Sequence, residues 1–168
     1  SVYLKIIIKK KKQELANSSE IILEEESRED RNKWVVLALY EALNARDVDA
    51  VHRLLAPDIE WWFHGPPAFQ HMMRLLTGAS THEPFEFVPL HVQALESTVL
   101  VEGCDKTRSV FWVHAWTVST DGVITQVREY FNTCLTVTQA KKHCLLPVWR
   151  SRLPDRAGKS LPGLVLAI

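Results

Sequence analysis

The sequence predicts an α+β fold, a cone-shaped curved antiparallel sheet wrapped around three N-terminal helices. Three observations carry that expectation. Helical spacing of apolar residues governs the chain just after residue 32, strand-like alternation governs it after residue 85, and the two regimes are barely interleaved. The third is Asp121-Gly122, a dipeptide that tolerates the positive φ angles of a tight hairpin turn between two β-branched and aromatic runs.

Taken in order, residues 1–31 read as a separate, mobile extension. A short β-prone start leads to Lys9, Lys10, Lys11 and Lys12, then to an acidic stretch, 20–30, with the composition of a frayed helix. From Asn32 a broad apolar stripe of Trp34, Val35, Leu37, Ala38, Tyr40 and Leu43 predicts the first helix of the body, ending at residues 44–46. Asp47 is placed to cap a second helix over 48–55. Pro57-Asp58 turns the chain into a strand over 59–64, which Gly65-Pro66-Pro67 stops. A third helix spans 68–76 and closes at Gly78. Residues 85–95 and 98–104 form an antiparallel pair turning at Glu96-Ser97, with Pro89 at an edge or bulge. The hairpin around Asp121-Gly122 completes the domain, 32–138, and a tail over 139–168 docks on that domain or on a dimer partner.

If Asp121 and Gly122 form the turn, cross-strand partners have numbers that add to 243. Trp112 then faces Phe131, His114 faces Glu129, Trp116 faces Val127 and Val118 faces Thr125. These residues share one face, an aromatic wall with a single His–Glu pair at its centre. The opposite face, with Val113, Ala115, Arg128 and Tyr130, points outward and suits a dimer contact.

Net charge is zero, with 20 Lys and Arg against 20 Asp and Glu, so no global field calls for nucleic acid or a membrane. The zero conceals an acidic body, 7 basic against 12 acidic residues over 32–140, and a basic tail, 6 against 1 over 141–168. Cys104, Cys134 and Cys144 lack CxxC spacing, and no signal peptide is evident; reduced thiols in a cytoplasmic or nuclear setting follow. The seven histidines show neither HxxxH nor HExxH spacing, so neither a metal nor another cofactor is expected.

Two stretches, NARDVDAVHRLLAPDIEWWFHGP over 44–66 and DGVITQVREYFNT over 121–133, resemble the nuclear-transport-factor-two-like superfamily, specifically its SnoaL-like domains. The blocks WWFHGPP, MRLLTG, EGCD, WVHAWTV, VITQVREYFNT and GKSLPGLVLAI resemble the plant wound-induced, senescence-associated branch, and the resemblance covers 32–168. It implies a cone-shaped α+β barrel that commonly dimerises through its sheet, and a role in the response to wounding and stress. Limonene epoxide hydrolases of the superfamily carry their water-activating Asp where Glu129 stands, an Arg and an Asp at the positions of Trp112 and His114, and a water-holding Tyr and Asn near Trp62 and His64. Ketosteroid isomerases place a general-base Asp near Phe63 and His64. This chain keeps the carboxylate, has a histidine for the second acid and lacks the Arg, so neither catalytic set is whole.

Three functions are therefore set against each other. The leading expectation is a stress- or wound-responsive protein, not an enzyme, that binds an apolar small molecule through Trp62, His64, Trp112, Trp116 and Phe131. The alternative is a cofactor-independent hydrolase or isomerase acting on a hydrophobic substrate, with His114 and Glu129 as catalytic acid and base. The third is a protein-interaction dimer whose cone is filled, with the His–Glu pair satisfying itself and fixing strand register.

Overall fold

The computed structural model describes residues 2–79, 84–131, 148–153 and 165–167. Among the described residues, seven strands and three α-helices follow in the order α1 (Val2–Ala45), α2 (Val48–Leu54), β1 (Leu55–His64), α3 (His71–Leu76), β2 (Val88–Leu95), β3 (Thr98–Cys104), β4 (Phe111–Val118), β5 (Ile124–Phe131), β6 (Val148–Arg150) and β7 (Val165–Ala167). The first five strands form one curved, unclosed sheet in the order β1-β5-β4-β3-β2, and the helices lie on its concave side as an α+β cone.

The body's first helix does not begin at Asn32. It runs unbroken from Val2, so the lysine and acidic blocks are turns of the same helix, and no strand forms at the start. Tyr40 and Leu43 of the expected stripe are buried, together with Val36, Leu39 and Ala42, whereas Trp34 is 72% exposed. Arg46 ends the helix with φ +59°, its N–H bonding Leu43 O and the next N–H bonding Ala42 O, a Schellman closure. Asp47 caps α2 through the Ala50 N–H at 3.0 Å. Asn44 ties α1 to the chain before β2 with a reciprocal pair of bonds, donating to Phe87 O at 2.8 Å and accepting from Phe87 N at 2.9 Å.

The sheet is mixed. β2, β3, β4 and β5 pair antiparallel, whereas β1 lies parallel to β5, with Trp61 opposite Val127, Trp62 opposite Arg128 and His64 opposite Tyr130. Helix α3 supplies the buried Met72 and is preceded by a 3-10 turn, Pro67–Phe69, in place of one continuous helix over 68–76. Pro89 sits on the edge strand beside a register shift, which spares the sheet a missing donor.

In the β4–β5 hairpin every pair from Trp112–Phe131 to Thr117–Gln126 obeys the 243 register, and His114 lies opposite Glu129. The turn departs from the expectation. Gly122 N–H bonds Ser119 O at 3.0 Å and Ser119 N–H bonds Val123 O at 2.8 Å, so residues 120–122 form the loop between Ser119 and Val123, with Gly122 at φ +78°. The extra length shifts the register, and Val118 meets Ile124 instead of Thr125.

Part of the convex face is covered by the chain itself. β6 and β7 pair antiparallel, and Trp149, Leu153 and Leu166 bury against Leu100, Val113 and Ala115. Val113 and Ala115 thus point outward from the cone and are still buried, at 0% and 2% exposure, beneath C-terminal residues. Leu166 belongs to this outer cluster, on the face opposite the cone interior. Cys104 is buried with a free thiol; Cys134 and Cys144 lie outside the described residues.

Candidate functional site

Alternation along β4 and β5 sends Trp112, His114, Trp116, Val127, Glu129 and Phe131 to the concave face, where each is fully buried. His114 Nε2 lies 2.6 Å from Glu129 Oε2. On the other side of the imidazole the Tyr40 hydroxyl is 2.6 Å from Nδ1, and the Trp116 indole N–H donates to that hydroxyl at 2.8 Å. The three contacts form one run in which Trp116 donates to Tyr40, Tyr40 shares a proton with Nδ1, and Nε2 pairs with Glu129.

Apolar rings seal this chain of bonds. The His114 ring stacks on Trp112 at 4.6 Å and on Tyr40 at 5.8 Å between centroids, and Phe87 and Phe131 close in at 5.5 and 6.3 Å. Burial holds the Tyr40 phenol well above the usual range, opposed by the Trp116 bond and reinforced by the nearby Glu129 charge. Tyr40 therefore stays a protonated donor at any ordinary pH. Among the buried atoms of the cone without a partner in the described residues are Oε1 of Glu129, Nε1 of Trp112 and Nε1 of Trp61. Gly103 is the reason that Trp112 fits. A Cβ at that position would lie 2.2 Å from the indole Cζ2 and 2.4 Å from Val88 O.

Trp62 and His64 do not join the group. Trp62 is 56% exposed, and His64 lies on the convex side, stacked on Tyr130 at 4.7 Å. In a parallel pair the residues in register share a face, so the partners of the outward Arg128 and Tyr130 face outward as well. Trp61 and Phe63 enter the interior instead, packed against the core. The alternation Ile59, Trp61, Phe63 against Glu60, Trp62, His64 carried that signal. Tyr40 was the residue missed as part of the polar network, the one hydroxyl on the buried stripe of α1.

Chemically, the arrangement is a buried acid–base pair, His114 and Glu129 both 0% exposed. Among the described residues no group of three or more His, Cys, Asp or Glu is placed to hold a metal ion, and no helix is long and apolar enough to cross a membrane.

Comparison with known proteins agrees with the resemblance read from the sequence blocks. Residues 73–168 match the family described as Wound-induced protein WI12. The chain is 57% identical over 107 residues to Wound-induced protein 1 of Solanum tuberosum, a match covering 57% of this chain and all of that protein. It is 50% identical over 112 residues to Senescence associated gene 20 of Arabidopsis thaliana, again over 57% of this chain and all of the relative. An NTF-2 like protein of unknown function from Burkholderia xenovorans has the same fold at a TM-score of 0.50 with 18% identity, covering 67% of this chain and 91% of that one.

Proposed function

This chain belongs to the WI12 wound-induced protein family, and from that premise we propose that it is a stress-responsive protein that acts by binding a small molecule, with the conical core as scaffold. The observation that carries the reading is the complete burial of the His114–Glu129 pair within a closed run of hydrogen bonds from Trp116 through Tyr40. A general acid or base has to come within about 3 Å of the atom it serves, and both members of this pair are 0% exposed. The names of the relatives, one for wounding and one for senescence, support the stress role.

A second reading, an acid–base enzyme acting on a hydrophobic substrate, draws support from the unpartnered Glu129 Oε1 and Trp112 Nε1 in the cone. One experiment separates the two. A panel of small molecules is screened by thermal shift against the wild type and Glu129→Gln, with hydrolysis and isomerisation followed in parallel. Ligand-induced stabilisation in both proteins and turnover in neither supports the binder. Turnover that Glu129→Gln abolishes establishes the enzyme, and a panel without a single stabilising compound overturns the binding reading.

A further inference from the structure

We propose that the N-terminal half of α1 is the contact surface for a second copy of this chain, whose own α1 lies against it in the opposite direction. The inference is independent of the binding reading, since it concerns a part of the chain outside the cone.

Helix α1 is clamped to the body where it passes the turn between β2 and β3. Glu29 accepts from the Glu96 N–H at 2.8 Å, and the buried Asn32 donates to Glu96 O at 3.1 Å. Upstream of that clamp every residue from 7 to 24 is exposed, a stretch of about 27 Å at the rise of an α-helix. Helices in proteins draw most of their stability from packing an apolar face, and this stretch packs none of its side chains against the described residues. Ile8, Leu15 and Ile22 recur at intervals of seven, so they follow one side of the helix, and they are 49%, 65% and 58% exposed. Ile21 and Leu23 flank Ile22 and widen the apolar surface there.

Charge identifies the occupant and its direction. The lysine block over 9–12 lies on one side of Leu15 and Ile22, and the acidic block Glu24, Glu25 and Glu26 lies on the other. A parallel copy would set lysines against lysines and acids against acids. An antiparallel copy sets each block against its opposite, and a two-fold axis makes the match twice. With that axis at Ser18 and Ser19, Leu15 meets the partner's Ile22, Lys11 meets the partner's Glu26 and Lys12 meets the partner's Glu25. The two serines suit the axis because they are small and already satisfied. Their hydroxyls donate to Glu14 O at 2.8 Å and to Leu15 O at 2.9 Å, so neither carries a stranded donor into the contact. Glu25 also pairs with Arg28 of its own helix, and a carboxylate has two oxygens with which to accept a second cation. Burial of the leucine and isoleucine side chains supplies the attraction, and the exposed ion pairs set its direction.

The test is the oligomeric state of the full chain, measured by analytical ultracentrifugation, with far-UV circular dichroism following the helix in each variant. The wild type is expected to be a dimer at micromolar concentration. Lys11→Glu with Lys12→Glu should raise the dissociation constant at least tenfold, and so should Glu25→Lys with Glu26→Lys. All four changes in one chain should restore the dimer, because the two blocks exchange signs and remain opposite. Leu15→Asp with Ile22→Asp should give a monomer whose body melts at the wild-type temperature, since both positions are exposed. A wild type that is monomeric at micromolar concentration would overturn the proposal, and so would a dimer indifferent to both charge reversals, as pairing through the sheet would give. Loss of the dimer in both reversals without recovery in the fourfold variant would overturn the antiparallel arrangement. A monomer that sediments with phosphatidylserine vesicles through its lysine block would overturn the proposal in favour of a membrane surface.

Discussion

Tyr40 and His114 lie 74 residues apart in sequence and 2.6 Å apart in space, the phenol oxygen against Nδ1 of the imidazole. The contact joins the buried stripe of α1 to the centre of β4, and through Glu129 to β5. It makes helix and sheet orientation depend on a polar bond as well as on apolar area.

Tyr40→Phe keeps the ring and removes the oxygen. His114 Nδ1 and the Trp116 indole N–H both lose a buried partner, so the variant should unfold about 1–3 kcal/mol more easily. Urea denaturation measures the difference, with far-UV circular dichroism checking that the helices remain. Equal stability would mean that the three-residue chain of bonds is not formed in solution.

Alkaline pH gives an independent view of the same residue. The folded-state pKa of Tyr40 is raised above 10.0, chiefly by burial. A group with a raised folded pKa contributes fully below its unfolded value, and the contribution is lost as pH rises toward the folded one. Above pH 10 the unfolded chain releases a phenol proton that the folded chain retains, and stability should fall by about 1.4 kcal/mol per pH unit from this residue. Buried Cys104, raised from 9.0 mainly by burial, adds a fall of the same sign that starts one unit lower. Unfolding free energies at pH 8, 10 and 11 should decline less steeply in Tyr40→Phe over the last interval. Parallel curves would contradict the burial of the phenol.

Gly103→Ala should be among the more damaging single-methyl additions in this protein. The new Cβ would meet Trp112 Cζ2 at 2.2 Å and the backbone oxygen of Val88 at 2.4 Å, and the backbone atom has little freedom to retreat. Overpacking of this kind costs about 1–3 kcal/mol. A melting temperature unchanged from the wild type would show that the indole does not lie across Gly103.

Leu166→Asp should detach the C-terminal strand pair from the convex face. Leu166 is 5% exposed among Leu100, Val113 and Ala115, and a carboxylate there would be buried against apolar side chains. The expected result is a lower melting temperature and increased binding of an apolar dye, since Val113 and Ala115 come into view. Truncation after Gly163 should act in the same direction, and indifference to both changes would mean that the segment contributes nothing to the fold.

The sequence by itself determined what depends on neighbours along the chain. Period-two alternation around Asp121-Gly122 placed Trp112, His114, Trp116, Glu129 and Phe131 on one face in the right register, and the side chain of Asp47 marked the start of α2, because a hairpin and a helix cap are closed by residues a few positions apart. Tertiary structure decided what depends on segments remote from one another. The parallel alignment of β1 on β5 turned Trp62 and His64 outward, and no local pattern specifies which strand a first strand will join. Tyr40 found His114 because the phase of α1 against the sheet is set by packing, and a helical stripe identifies a buried face without identifying the atom across from it. Whether the cone is open or filled was decided last. Interior volume is what remains after Tyr40, Phe87, Trp112 and Phe131, drawn from four separate elements or loops, have taken their places, so it belongs to the assembled set and to none of its parts.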